Sequence, residues 1–109
     1  MAYDEALAQR IRTTLAGRDG FAEKKMFGGI GFLLNGNVCV GVWKDELILR
    51  LSAEQADTAL QEDHVRVFDI TGRAMTGWVL VHPDGMRTDE VLSGWVDQAV
   101  AFVSLLPAK

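Results

Sequence analysis

Ile30-Gly31-Phe32-Leu33-Leu34-Asn35-Gly36-Asn37-Val38-Cys39-Val40-Gly41-Val42-Trp43 is the stretch that decides the fold. Two runs of β-branched, aromatic and aliphatic residues flank Asn35-Gly36, a pair that tolerates the positive φ a two-residue hairpin loop demands. Upstream, Glu23-Lys24-Lys25-Met26-Phe27 runs into Gly28-Gly29, which reads as a second hairpin turn for the same reason. Downstream, Lys44-Asp45 separates residues 38–43 from another apolar run at 46–51. All four runs are short and turn-bounded, which predicts a meander of four antiparallel strands.

Helical signals bracket the meander. Asp4 caps a predicted helix over 4–16, where Leu7, Ile11 and Leu15 recur at four-residue spacing and Gly17 closes the end. Ser52 and Gln55 form a capping box that opens a short helix running through Leu60. Residues 61–72 break the pattern, holding Val65, Val67 and Phe68 as candidate anchors before a turn at Asp69-Ile70-Thr71-Gly72. Residues 74–82 then read as a fifth strand, ending in the turn His82-Pro83-Asp84-Gly85. Thr88, Asp89 and Glu90 start a last helix with the stripe Leu92, Trp95, Val96, Ala99, Phe102, Val103 and Leu106.

The expected architecture is therefore a single α+β domain over 1–109. It has two layers, with an antiparallel sheet of about five strands and flanking helices in the order α-β-β-β-β-α-β-α. At 109 residues, with 49% apolar and 24% charged, the chain is sized and composed for one core. Eleven Lys and Arg against fifteen Asp and Glu leave a net charge of −4, so direct nucleic-acid binding is not expected. No apolar run approaches the ~20 residues of a membrane span. Met1-Ala2-Tyr3-Asp4-Glu5 lacks the basic-then-apolar block of a secretory signal, and the single Cys39 allows no internal disulfide. The cytosol is the expected compartment.

Alternation along the strands places Val38, Val40 and Val42 on one face with Leu47, Leu49 and Leu51, the side the helices are expected to cover. The second face receives Cys39, Gly41 and Trp43, then Glu46, Ile48 and Arg50, with Trp78 and Leu80 on one face or the other. That is too apolar for a face left to water. Two coverings are open: a partner or symmetry mate, which makes Trp43, Ile48 and Trp78 interface candidates, or the 61–72 segment folded over it.

The chemistry-bearing residues offer little. Gly28-Gly29-Ile30-Gly31 is flanked by strands on both sides, whereas a phosphate loop needs a helix N-terminus after it. Cys39, His64 and His82 stand in no metal-ligand spacing, so no metal site and no cofactor are expected. No nucleophile, acid-base pair or Gly-x-Ser-x-Gly turn supports an enzyme. Lys24, Lys25, Arg50 and Arg73 would form an anion or nucleotide site if the first, fourth and fifth strands met at one end.

Lys25-Met26-Phe27-Gly28-Gly29-Ile30-Gly31-Phe32, Gly41-Val42-Trp43, Leu49-Arg50-Leu51 and Thr71-Gly72-Arg73-Ala74-Met75-Thr76-Gly77-Trp78-Val79 together resemble the amino-terminal domain of the TfoX/Sxy family. The similarity extends to the last helix. The resemblance implies a two-layer α+β fold similar to secretion-chaperone-like folds. Longer relatives are regulators of natural competence that act with the cyclic-AMP receptor protein and carry a second, carboxy-terminal helical domain. This chain ends at Lys109, so a stand-alone first domain is expected, and a competence role that depends on the second would not transfer intact.

The glycines of the shared motifs, with Gly28, Gly29, Gly36 and Gly72 read as structural turns, have a backbone reason. Lys25, Arg50 and Arg73 have none as plain, and are the binding candidates. The expected role is a non-enzymatic protein-interaction module. Its expected partner is a protein of the transcription machinery or a cyclic-AMP receptor-type regulator, and a homodimer is open on symmetry grounds. The alternative is a small-anion or nucleotide binder.

Overall fold

The structure, a computed structural model, describes residues 3–26, 28–69, 72 and 75–109. Its elements run α1 (Glu5–Leu15), β1 (Phe21–Met26), β2 (Gly29–Leu34), β3 (Asn37–Trp43), β4 (Glu46–Arg50), α2 (Ala53–Ala59), β5 (Val65–Val67), β6 (Trp78–Val81), a 3₁₀ turn (Pro83–Gly85) and α3 (Asp89–Val103). The helix starts are set locally. Asp4 Oδ1 accepts from the Ala6 and Leu7 amides, Ser52 and Gln55 make both bonds of a capping box, and Thr88 Oγ1 accepts from Val91.

The strands form one antiparallel sheet in the order β1-β2-β3-β4-β6-β5. The α+β class and the meander agree with the sequence, but the described residues hold six strands rather than about five. The additional one is β5, whose Val65 and Val67 pair with Val81 and Val79 at the outer edge of β6. Three residues are too few to display a period in sequence. The predicted strand 74–82 is shorter here, because the Trp78 amide donates back to Met75 in a turn; Ala74 lies outside the described residues.

Asn35 and Gly36, with φ of 51° and 86°, make the two-residue loop between β2 and β3. Gly28, at φ 76°, lies between β1 and β2, whereas Gly29 belongs to β2, paired with Met26, rather than to the turn. Gly29 has a separate reason to lack a side chain: a Cβ there would fall on the Val42 carbonyl.

Val40 pairs with Leu49 and Val42 with Leu47, as the alternation requires. A β-bulge corrects one assignment. Phe32 pairs with Val40 but Leu33 pairs with Val38, which leaves Cys39 as the additional residue on β3. Parity shifts by one at that point. Cys39 joins the helix-side core, and Val38 is left half-buried outside it.

That core is continuous. Leu7, Ile11 and Leu15 of α1 and Leu92, Trp95, Val96 and Ala99 of α3 pack with Ile30, Phe32, Val40, Val42, Leu47, Leu49, Val79 and Val81 of the sheet. A smaller cluster of Ile48, Leu80 and Phe68, with Trp43, Met75 and Trp78 against it, lies on the opposite face.

Candidate functional site

The outer sheet face is built from β3, β4, β6 and the segment after β5. Phe68 is fully buried in the cluster with Ile48 and Leu80, so the chain itself supplies a cover for this face from within 61–72. Ile48, an interface candidate in the sequence, is 2% exposed. What remains accessible is aromatic and cationic. Trp43 and Trp78 are each half-buried.

Each tryptophan carries cations over its ring. Lys44, held at φ 56° in the turn after β3, places Nζ 4.7 Å from the Trp43 centroid, and Arg66 Cζ stands 5.9 Å from it. Arg50 pairs across the sheet with Trp78, and its Cζ lies 5.3 Å from that ring. Such contacts orient both partners at a modest energy, about 0.5–1 kcal/mol each when exposed.

Two acids near this face are engaged by one residue. Arg66 holds Glu46 through two bonds, Nη2–Oε2 at 2.8 Å and Nε–Oε1 at 3.3 Å, and reaches Asp69 at 3.6 Å. Hydrogen bonding to Glu46 raises the Arg66 guanidinium above its ordinary value, which keeps it charged. Lys24, which shares this face by its pairing with Gly31, Lys44 and Arg50 have no carboxylate partner among the described residues. The chain is acidic overall, yet these three cations stand outside the ion pairs of the described residues.

Lys25 and Arg50 do not converge. Lys25 pairs with Ile30, Ile30 with Val42, and Val42 with Leu47, so Lys25 shares the helix side of the sheet at its β1 edge. Arg50 lies three strands over and three residues further along β4, on the outer side with Trp78. Strand spacings of about 4.8 Å and rises of about 3.3 Å put their backbones roughly 17 Å apart, on opposite faces. Arg73, the third binding candidate, lies outside the described residues, and Gly72 closes a turn by donating to the Asp69 carbonyl.

Cys39 is fully buried, and burial pushes its thiol up to about 12, which removes it as a thiolate nucleophile or soft ligand at neutral pH. A groove of about 490 Å³ between α1 and β1 is lined by Arg12, Arg18, Phe21, Glu23 and Phe32. Its charged groups are engaged, Arg12 by Glu23 at 2.8 Å and Arg18 by Asp97 at 2.7 Å.

The fold brings His64 and His82 together although their spacing in sequence suggests nothing. Val65 pairs with Val81, so the two histidines face one another at the end of the β5–β6 ladder, with ring centroids 6.1 Å apart. One donor atom from each, with one from Asp84, lie within 4.8 Å of one another. Sequence reasoning also missed Arg66; the alternation Val65-Arg66-Val67 is the available signal, and it is too short to weigh.

No curated protein and no solved structure matches the chain. The family model of the TfoX N-terminal domain matches residues 13–103. That span takes in the meander, both tryptophans of the outer face and all of α3, and the chain belongs to the TfoX N-terminal domain family, which is linked in general to the regulation of competence.

Proposed function

We propose that this domain is a non-enzymatic protein-interaction module of a competence- or transcription-related regulator, and that it docks its partner on the outer sheet face. The carrying observation is the pair of half-exposed tryptophans under Lys44, Arg66 and Arg50, on a face where Lys24, Lys44 and Arg50 have no acidic partner among the described residues. Tryptophan and arginine dominate protein-interface energetics because they join large apolar area to directional polar contacts. An acidic surface with apolar relief is the complement. A cyclic-AMP receptor-type regulator is the first partner to test, on the strength of the family. The separation of Lys25 from Arg50 weighs against the anion-site alternative.

The test is a binding titration between the purified domain and such a regulator. Trp43→Ser and Arg50→Glu should each weaken association by about tenfold or more, as interface anchors do. Association indifferent to both, or none at all, overturns the reading for this partner. Self-association through the same face is the homodimer form of the proposal, and sedimentation of Trp43→Ser against the parent chain tests it. No helix of the described residues is long and apolar enough to cross a membrane.

A further inference from the structure

From the geometry at the free end of the β5–β6 ladder we infer a binding site for a borderline first-row divalent cation, Zn²⁺ in the first instance, held by His64, His82 and Asp84. His82 Nδ1 stands 3.6 Å from Asp84 Oδ2. Two ligands each 2.0–2.1 Å from a zinc ion and 3.6 Å apart subtend about 120°, somewhat wider than a tetrahedral angle. That spacing admits an ion, which at Nδ1 takes the place of the bond His82 accepts from the Asp84 amide. The His64 donor lies within 4.8 Å of both, and completing the set takes a movement of about 1 Å by an exposed ring.

The backbone holds the set in place. The His82 amide donates to the His64 carbonyl at 2.8 Å, which fixes the two residues opposite one another. Pro83 then starts the 3₁₀ turn that carries Asp84 back toward the imidazoles. Gly85 takes no positive φ, so conformation does not explain it; a Cβ at that position would lie 2.8 Å from His64 Cβ. The absence of a side chain at 85 is what lets the turn close on His64.

Two contacts compete with an ion here. The Asp84 amide donates to His82 Nδ1 at 3.1 Å, and Arg87 binds Asp84 Oδ1 at 3.0 Å, leaving Oδ2 directed at the imidazole. The neighbouring groove, about 330 Å³, adds Glu62 and Asp63 to the local negative charge. Two imidazoles with one carboxylate favour zinc, cobalt, nickel or copper over magnesium or calcium, which prefer oxygen ligands. A bound ion would join the edge strand β5 to β6 and keep its remaining positions for water or for a ligand from a partner.

The experiment is calorimetric titration of the full chain, freed of any polyhistidine tag, with Zn²⁺, alongside the visible spectrum of the Co²⁺ form. One Zn²⁺ per chain, a four- or five-coordinate Co²⁺ spectrum without thiolate charge transfer, and no response to Mg²⁺ are expected. His64→Ala and Asp84→Asn should each weaken Zn²⁺ binding by about tenfold or more, the lower bound for losing a ligand rather than its support. Cys39→Ser should leave it unchanged. Both informative variants spare the His82 cap of the 3₁₀ turn, and their melting curves in the absence of metal check folding. No heat at millimolar Zn²⁺, or equal binding by the parent, His64→Ala and Asp84→Asn, overturns the site.

Discussion

The ring of Phe68 lies 5.7 Å from that of Trp78, the planes inclined by 46°, and Phe68 seals Ile48 and Leu80 on the outer face. This packing replaces with a short loop what a second layer of helices would otherwise supply. Phe68→Ala should destabilise the domain by about 3–5 kcal/mol, the usual cost of emptying a buried phenylalanine site. Urea denaturation measures it, and a loss below about 1 kcal/mol would mean that the outer face is not sealed by this residue.

Two glycines should respond in opposite directions. Gly77 has φ 86°, and a Cβ there would fall on the Leu51 carbonyl, whose own amide donates to Gly77 O at 2.7 Å. Gly77→Ala should cost about 1–2 kcal/mol from the left-handed backbone, before the clash is added. Gly94 lies exposed inside α3, and a methyl group added there would meet nothing within 4 Å. Gly94→Ala should stabilise by about 0.8–1.0 kcal/mol through helix propensity. Thermal melts of the two variants check both signs.

Cys39 should resist alkylation while the protein is folded. Its sulfur is fully buried and burial holds the thiol protonated. Iodoacetamide at mildly alkaline pH should label it only after denaturant is added, at a rate that follows global unfolding. Rapid labelling of the folded chain would show that the bulged strand opens locally.

Arg12 and Glu23 give the fold a pH dependence on the acid side. Hydrogen bonding to Arg12 holds the Glu23 carboxyl below its ordinary value of 4.5, so the folded state favours the ionised form. The stabilisation is present above that value and is lost as pH falls through the lower folded one. Both side chains are partly exposed, 32% and 40%, so about 1 kcal/mol or less is expected. Arg12→Gln should flatten the decline in stability below pH 4.5 relative to the parent chain. Superimposable profiles would show that the pair contributes nothing measurable.

The legible parts of the molecule are those written in adjacent residues. Asp4, Ser52 with Gln55, and Thr88 each bond amides two or three positions away, and Asn35-Gly36 sets its own backbone, so the caps and that turn can be read directly. The illegible parts depend on which strand lies beside which. The bulge at Cys39 is a mismatch between two strands and leaves no trace in either. Likewise β5 exists because β6 is there to pair with it, and the meeting of His64 with His82 follows from that pairing. The tryptophans of the outer face are identifiable from sequence, whereas the separation of Lys25 from Arg50 needs the strand order and the face of each residue.

Strand order also limits how a second chain could join this one. Among the described residues the sheet is open at both sides, with β1 and β5 unpaired on their outer edges. Glu23, Lys24 and Lys25 stand in a row on β1, and inserting that row between two strands would strip water from three charges. On the other side, β5 offers three residues, too short a ladder to hold a foreign strand against competition from solvent. Extension of the sheet from copy to copy is thereby discouraged at each end, and growth into fibrils with it. Any association is thereby left to a closed contact between surfaces, which can saturate with one partner and stop.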